Sequence, residues 1–111
     1  MILRIDNESL NILAMKANRN IKQSQWNRNG IELTYMHGVI PVRIQMSLNV
    51  NNDEKLTLNL TNARIWFVNI SGMARNMYKK YPVFDFSMDG LIKFKAVFVF
   101  DGYCKIFAQF A

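Results

Sequence analysis

Residues 42–50 read Val-Arg-Ile-Gln-Met-Ser-Leu-Asn-Val, with an apolar side chain at every even position and a polar one at every odd position. This alternation predicts a strand with one buried face, because successive side chains of a strand point to opposite sides of the sheet. Turn-forming residues follow at 51–54, and a second alternating run occupies Leu56–Thr61. The two runs predict a β-hairpin, continued by a strand at Ala63–Val68, and make an antiparallel sheet the basis of the fold.

A helix is predicted immediately downstream, over residues 71–81. Ser71 is placed to cap its first turn, and Pro82 ends it because proline has no N–H to donate. The apolar stripe that defines the helix recurs at spacings of three and four residues and consists of Ile70, Met73, Ala74, Met77, Tyr78 and Tyr81.

Three alternating strands are predicted after Pro82, separated by the pairs Asp89-Gly90 and Asp101-Gly102. Asp-Gly between two alternating runs indicates a tight hairpin, because a type I′ turn needs positive φ at both central residues. The apolar positions of these strands are Phe84, Phe86 and Met88, then Ile92, Phe94, Ala96, Phe98 and Phe100, and finally Cys104, Ile106, Ala108 and Phe110.

The first forty residues carry weaker patterns. Ile2–Asp6 is predicted as a strand, Asn18–Asn29 as a loop, and residues 31–35 as a strand that ends in a turn at His37-Gly38. The segment Glu8–Asn18 fits both a helix and a strand, because its apolar positions follow neither period.

The chain is therefore predicted to form one α+β domain over residues 1–111. We expect a strongly twisted antiparallel sheet of about six or seven strands, with one amphipathic helix at about 71–81 packed on it. Half of the residues are hydrophobic and a fifth are charged, so the chain can bury a core without disulfides or a metal.

The composition also indicates the cellular setting. Cys104 is the single cysteine and lies in an apolar run, so we expect a small buried hydrophobe rather than a nucleophile. No secretory signal is visible, and no apolar stretch is long enough to span a bilayer. We therefore expect a cytoplasmic protein in a reducing compartment, and we predict no cofactor.

The sequence contains few candidate catalytic residues. His37 is the only histidine, and the glycine after it indicates an exposed turn. Asp89 and Asp101 are explained by their turns, and Asp85 alternates outward on a strand, so no catalytic carboxylate pair is predicted. The glycines form no phosphate-binding loop. These features predict a binding protein rather than an enzyme.

The predicted sheet has more apolar surface than its helix can cover. Six strands about 4.8 Å apart make a sheet roughly 25–30 Å wide, whereas a helix of about eleven residues is roughly 16 Å long and about 10 Å across. The N-terminal segment, a curled sheet, another chain or a ligand must cover the remainder. The leading hypothesis is a hydrophobic small molecule, a lipid or an apolar partner surface bound between helix and sheet. The residues predicted to line this site are Ile70, Met73, Met77, Phe84, Phe94, Phe98 and Ile106.

The order of elements resembles a known family. A polar-apolar hairpin strand at Lys55–Ile65, a short helix at Ile70–Tyr81 and Asp-Gly-linked strands at Val83–Phe110 are similar to the tubular lipid-binding (TULIP) domains. That family includes a bacterial secreted or membrane-anchored type. The resemblance covers about half of the chain. It implies a long, curled sheet wrapped around a helix, with lipid tails bound between them.

Two alternatives remain open. The net charge of +6 attracts anionic partners, so a basic, aromatic sheet surface for single-stranded nucleic acid, an acidic protein or an acidic membrane surface is one of them. Its residues would be Arg43, Lys93, Lys95 and Lys105, with Tyr103 and Phe107 beside them. The other is a structural subunit of a homo-oligomer, in which a second copy covers the surplus apolar face.

Overall fold

The structure, a computed structural model, describes residues 1–80 and 91–111. Within those two ranges the chain forms two helices and eight strands. In chain order they are β1 (Ile2–Asp6), α1 (Asn7–Ala17), β2 (Ile21–Asn27), β3 (Gly30–His37), β4 (Ile40–Val50), β5 (Leu56–Ile65), β6 (Val68–Asn69), α2 (Ser71–Lys80), β7 (Ile92–Phe100) and β8 (Tyr103–Phe110). Neither of these helices is long and apolar enough to cross a membrane.

The strands form two antiparallel sheets. The large sheet has the order β2-β3-β4-β5-β6, and the small sheet has the order β1-β8-β7. The predicted α+β class and antiparallel pairing are confirmed. The predicted single sheet of about six or seven strands with one helix is only roughly right, because the N-terminal segment adds a helix and an edge strand and the strands divide between two sheets.

The predicted β4–β5 hairpin is confirmed and supplies much of the core. Its even-numbered residues from Val42 to Leu48 are buried, as the alternation requires. The core continues across both sheets and α1, so the two sheets share one apolar interior. The largest fully buried side chains are Leu10, Ile21, Ile31, Leu33, Met46 and Cys104.

Helix α1 begins at Asn7 because Asp6 caps it. The Asp6 carboxylate accepts a hydrogen bond from the Ser9 N–H at 2.8 Å, and this bond lowers the pKa of Asp6. Leu10 and Ala14 lie one helical turn apart and are buried against the core. The segment that fitted both periods in the sequence is therefore a helix.

The same helix closes a free edge of the large sheet. The Trp26 N–H of edge strand β2 donates to Asn7 Oδ1 at 2.7 Å. The Ser24 N–H donates to Asn11 Oδ1 at 3.0 Å. The predicted loop over Asn18–Asn29 is therefore wrong for most of its length. Its polar residues form a strand because side-chain amides of α1 replace the missing neighbouring strand.

Hydrogen bonds join the two sheets at two corners. The Phe94 N–H of β7 donates to the Glu54 carbonyl in the β4–β5 turn at 2.8 Å. The Lys95 ammonium pairs with the Glu54 carboxylate at 2.7 Å and lowers the pKa of Glu54. At the other corner the Gly102 N–H donates to the Trp26 carbonyl at 3.2 Å. These contacts fix the position of the small sheet on the large one.

Three β-bulges change which side chains face the core. The extra residue is Lys22 in β2, Thr61 in β5 and Lys95 in β7. Each extra residue shifts the period-two pattern by one, so the residues beyond it exchange faces. Phe94 is therefore buried, whereas Phe98 is 52% exposed on the outer face of the small sheet, contrary to the predicted alternation.

Helix α2 confirms the helix predicted from Ser71, as far as Lys80. Ser71 does not cap it in the predicted way. The Ser71 N–H donates to Asn69 Oδ1 at 2.8 Å, and Ser71 Oγ accepts from the Ala63 N–H of β5 at 3.0 Å. The hydroxyl therefore attaches the start of α2 to the large sheet.

The Asp101-Gly102 hairpin between β7 and β8 is confirmed, with Phe100 opposite Tyr103. Only Gly102 of the two turn residues has positive φ, at 90°, so the turn is not the expected type I′. The predictions that lie outside the described residues are the helix end at Tyr81 and Pro82, the strand through Phe84, and the Asp89-Gly90 turn.

Gly30 is a position that only glycine can occupy. Its φ is 128°, and a Cβ there would lie 2.0 Å from the Met46 carbonyl oxygen. We expect Gly30→Ala to lower the free energy of unfolding by about 2–3 kcal/mol, measured by urea denaturation. Gly72→Ala in α2 is the matched control, because nothing lies within 4 Å of its added Cβ. It should be neutral or stabilising, and equal effects of both variants would contradict the close approach at Gly30.

Candidate functional site

Two hairpin turns lie side by side at one end of the large sheet. The β3–β4 turn follows His37, which pairs with Ile40, and the β5–β6 turn follows Ile65, which pairs with Val68. Because β4 and β5 are antiparallel, the start of β4 and the end of β5 meet at the same end of the sheet. We call the residues exposed on these two turns the apolar tip, which consists of Val39, Ile40, Trp66, Phe67 and Val68.

The apolar tip is the most exposed hydrophobic part of the described chain. Phe67 is 99% exposed, Val39 90% and Trp66 80%. Met73 and Met77 add further exposed apolar surface on α2, which starts directly after β6. Large aromatic side chains this exposed contribute almost nothing to folding, so their presence points to a surface that meets something else.

The backbone at Trp66 strengthens this point. Its φ is 52°, in the left-handed region that bulky residues avoid, and it occupies the first position of a two-residue turn where type II′ geometry favours glycine. A non-glycine residue in this region costs about 1–2 kcal/mol. Neither packing nor backbone preference explains a tryptophan here, and strain of this kind is often found at functional sites.

A polar concavity lies on the outer face of the large sheet, and its volume is about 320 Å³. Arg43 of β4 and Arg64 of β5 lie directly opposite each other within it. Ser71 Oγ lies 2.9 Å from Asn62 Oδ1 and 2.5 Å from Asn69 Oδ1, so the Asn62 side chain lies beside the start of α2. We call this concavity the arginine pocket, and its lining residues are Asn29, Glu32, Arg43, Ile44, Gln45, Asn62 and Arg64.

The residues predicted to line a hydrophobic site between helix and sheet are not brought together. Ile106 is buried in the core like Phe94, and Ile70 is half-buried at its margin. Met73 and Met77 point to solvent from α2, which packs against β5 of the large sheet. Phe98 lies on the outer face of the small sheet, and Phe84 is outside the described residues.

The four predicted basic residues fall on three different surfaces. Lys93 and Lys105 lie on the outer face of the small sheet, opposite Gln109 and Phe98 respectively. Lys95 is the bulged residue that pairs with Glu54, and Arg43 belongs to the arginine pocket of the other sheet. The ion pair with Glu54 engages the Lys95 ammonium at the corner where the two sheets meet.

The outer face of the small sheet nevertheless carries a set of aromatic rings. Phe98 and Phe107 meet edge to face with ring centroids 5.6 Å apart, and Phe100 and Tyr103 stack at 4.8 Å. The Arg4 guanidinium of β1 lies 4.6 Å from the centre of the Tyr103 ring. These contacts pre-form an aromatic and basic surface, of which Phe98 and Phe100 stay substantially exposed.

The groups with potential for chemistry are few in the described ranges. Cys104 is fully buried, and desolvation raises its pKa to about 11, so its thiol stays protonated. This confirms its prediction as a buried hydrophobe. His37 lies at the exposed end of β3 next to the Gly38 turn, as predicted. Residues 1–80 and 91–111 contain no cluster of three or more His, Cys, Asp or Glu that is able to hold a metal ion.

Sequence reasoning missed the apolar tip and Arg64. It placed the segment Ala63–Val68 on a continuous strand and noted bulk on both of its faces. That double-faced bulk was the available signal, because Trp66-Phe67 forms a turn rather than a buried strand. Arg64 was missed because only the bulge at Thr61 brings it beside Arg43.

Comparisons with protein-family models, with curated proteins and with solved structures found no match. The resemblance to the tubular lipid-binding domains therefore stays a hypothesis.

The strain at Trp66 can be measured directly. Trp66→Gly relieves the positive φ, so we expect it to raise the free energy of unfolding by about 0.5–1 kcal/mol despite the flexibility of glycine. Phe67→Gly is the control at the neighbouring position, whose φ is not positive, and it should destabilise by about 0.5–1 kcal/mol. Urea denaturation of both variants tests the difference, and a loss of stability in Trp66→Gly would contradict the strain.

Proposed function

We propose that this protein is a non-catalytic binding module that attaches to the surface of a lipid bilayer through its apolar tip. The observation that carries the proposal is the nearly complete exposure of Trp66 and Phe67 on a turn. The proposal keeps the predicted hydrophobic or lipid ligand but moves the contact from between helix and sheet to the outside of the β5–β6 turn. Trp and Phe suit this position because they concentrate at membrane interfaces.

The energetics of the tip favour a bilayer over water. Complete burial of one large apolar side chain contributes about 1.5–3 kcal/mol. The tip carries several such side chains with little contact to the rest of the fold, so their transfer into the interface costs almost no internal packing. Partial insertion of Trp66 and Phe67 therefore supplies several kcal/mol, which is enough for reversible peripheral attachment.

The charge distribution supports an anionic bilayer. Arg64 lies just behind the tip, and Arg75, Lys79 and Lys80 add exposed positive charge farther along the chain, on α2. Each basic residue near an anionic lipid surface adds about 1 kcal/mol of attraction. The acidic pair Asp53 and Glu54 lies at the opposite end of the β4–β5 hairpin, away from the tip. The resemblance to lipid-binding domains points to the same class of ligand.

Fluorescence of Trp66 tests this proposal. The chain has two tryptophans, and Trp26 is buried with no hydrogen-bond acceptor for its Nε1 among the described residues. Trp26→Phe therefore removes an unsatisfied donor and leaves Trp66 as the only indole. On mixing with phosphatidylcholine–phosphatidylglycerol vesicles, we expect the Trp66 emission to shift to shorter wavelength and to be quenched by brominated lipid chains.

Matched variants assign the binding to the tip. Phe67→Ser should weaken vesicle binding about tenfold, because about 1.4 kcal/mol of apolar transfer is lost. Ile12→Ser is the control, since Ile12 is an exposed apolar residue on α1 at the opposite edge of the large sheet. An unchanged Trp66 emission at saturating lipid in the folded protein would overturn the proposal. An emission already shifted without vesicles, together with a dimer mass, would instead make the tip the interface of a homo-oligomer.

A second candidate function rests on the outer face of the small sheet. The exposed rings of Phe98 and Phe100, with Arg4 and Lys105 beside them and Lys93 farther along β7, have the chemistry of a surface on which bases of single-stranded nucleic acid stack. This surface retains two of the basic residues predicted for it, Lys93 and Lys105.

A salt titration of oligonucleotide binding tests this candidate. With a fluorescent single-stranded oligonucleotide, Phe98→Ala should weaken binding at every salt concentration, since a base–aromatic stack contributes about 1–3 kcal/mol. Lys105→Gln should lower the slope of log affinity against log salt by about one. Lys16→Gln on α1 is the control for a basic residue elsewhere. No binding at low salt would remove this candidate.

A further inference from the structure

The arginine pocket holds two like charges in direct opposition. Arg43 and Arg64 are cross-strand partners, and directly opposed residues of an antiparallel pair have Cβ atoms about 4.5–5.5 Å apart. Neither guanidinium forms an ion pair with a residue of the described ranges. Like charges placed in this way repel each other, so the arrangement is unfavourable while the pocket is empty of anions.

The rest of the lining does not cancel this charge. Glu32 is the single acidic lining residue, and it accepts a hydrogen bond from Asn27 Nδ2 at 3.4 Å. Two guanidinium groups therefore face one carboxylate, and the pocket keeps a net positive charge. An anion that enters would relieve the repulsion between Arg43 and Arg64.

Asn62 adds an uncharged side chain to the two arginines of the pocket. Its side-chain amide carries an NH₂ group that is able to donate to an anion. The volume of about 320 Å³ exceeds what a single small anion fills and leaves room for a substituent. Donors from two strands converge on a space large enough for an ester of the anion.

We propose that the arginine pocket binds a phosphate group. Each guanidinium offers a planar fork of donors, and one carboxylate satisfies only one such fork, whereas a tetrahedral phosphate presents oxygens to two forks at once. The inference stands on Arg43 and Arg64 and goes beyond the bilayer contact of the tip. The same phosphate chemistry is found on a lipid headgroup and on a free phosphorylated molecule.

The position of the pocket is compatible with the headgroup source. Arg64 precedes Trp66 by two residues, or about 7 Å of strand. Interfacial segments insert about 5–10 Å into the boundary between headgroups and acyl chains. A tip inserted to that depth brings the Arg64 end of the pocket to the level of the lipid phosphates.

The first experiment uses soluble phosphate without vesicles. Inorganic phosphate and glycerol phosphate should raise the melting temperature of the wild-type chain above that in chloride at the same ionic strength, because a ligand of the native state stabilises it. Arg43→Gln and Arg64→Gln should each weaken the apparent phosphate affinity about tenfold or more. Arg19→Gln, which removes an exposed arginine between α1 and β2, should leave it unchanged.

A second readout separates a binding role from a structural one. Without phosphate, Arg64→Gln should have the same or a higher melting temperature than the wild-type chain, because it removes the cross-strand repulsion. A variant that loses both stability and phosphate response would mean that Arg64 supports the fold. That result, or a phosphate response equal in wild type and both pocket variants, would overturn the proposal.

Vesicles then distinguish the two sources of phosphate. Loss of binding to phosphatidylglycerol vesicles in Arg43→Gln and Arg64→Gln, with Trp66 still entering the bilayer of the wild type, assigns the pocket to a lipid headgroup. A phosphate response without any entry of Trp66 assigns the pocket to a free phosphorylated molecule and removes the bilayer proposal alone. Entry of Trp66 that is insensitive to both substitutions, with no response to soluble phosphate, removes the pocket proposal alone.

Discussion

The extra residue at Thr61 is the constraint on which both the buried face and the outer face of the large sheet depend. Without it, the alternation that buries Leu60 would carry Asn62 and Arg64 into the core, where an unpaired guanidinium costs several kcal/mol. With it, Ala63 takes the buried position and presents its N–H to Ser71 at the start of α2. One bulge therefore sends Arg64 outward to Arg43 and fixes where the second helix attaches.

The β4–β5 hairpin and α2 could be predicted because each presents one uniform face to its surroundings, and a uniform face leaves a periodic trace in the sequence. Helix α1 could not. Its inward face alternates apolar Leu10 and Ala14 with polar Asn7 and Asn11, whose amides hydrogen-bond to a strand 13 and 19 residues away. Hydrogen bonds across that separation leave no local pattern. The predicted loop at β2 failed for the same reason, because the strand and the helix that completes it must be seen together.

The sequence showed which kinds of residue the candidate sites contain, but not which of them lie together. The excess of apolar surface and the surplus of positive charge were both visible in the sequence. Their grouping was not, because two bulges move Arg64 and Phe98 from the inner to the outer faces of their sheets. The turn at Trp66-Phe67 was hidden for another reason: it contains none of the residues that normally mark a turn. A position where local preference and structure disagree is where a functional demand is expected to override stability.

The asparagines of α1 have a consequence for how other molecules can associate with this protein. Many proteins recruit an extended peptide by letting it join an open sheet margin as one more strand, and the same open margin is the usual starting point of fibril growth. Here the main-chain donors of Ser24 and Trp26 already have acceptors in Asn11 and Asn7. An incoming peptide would have to displace the helix before it gained those hydrogen bonds. Recognition at this margin is therefore left to side-chain chemistry, and strand-by-strand polymerisation from it is blocked.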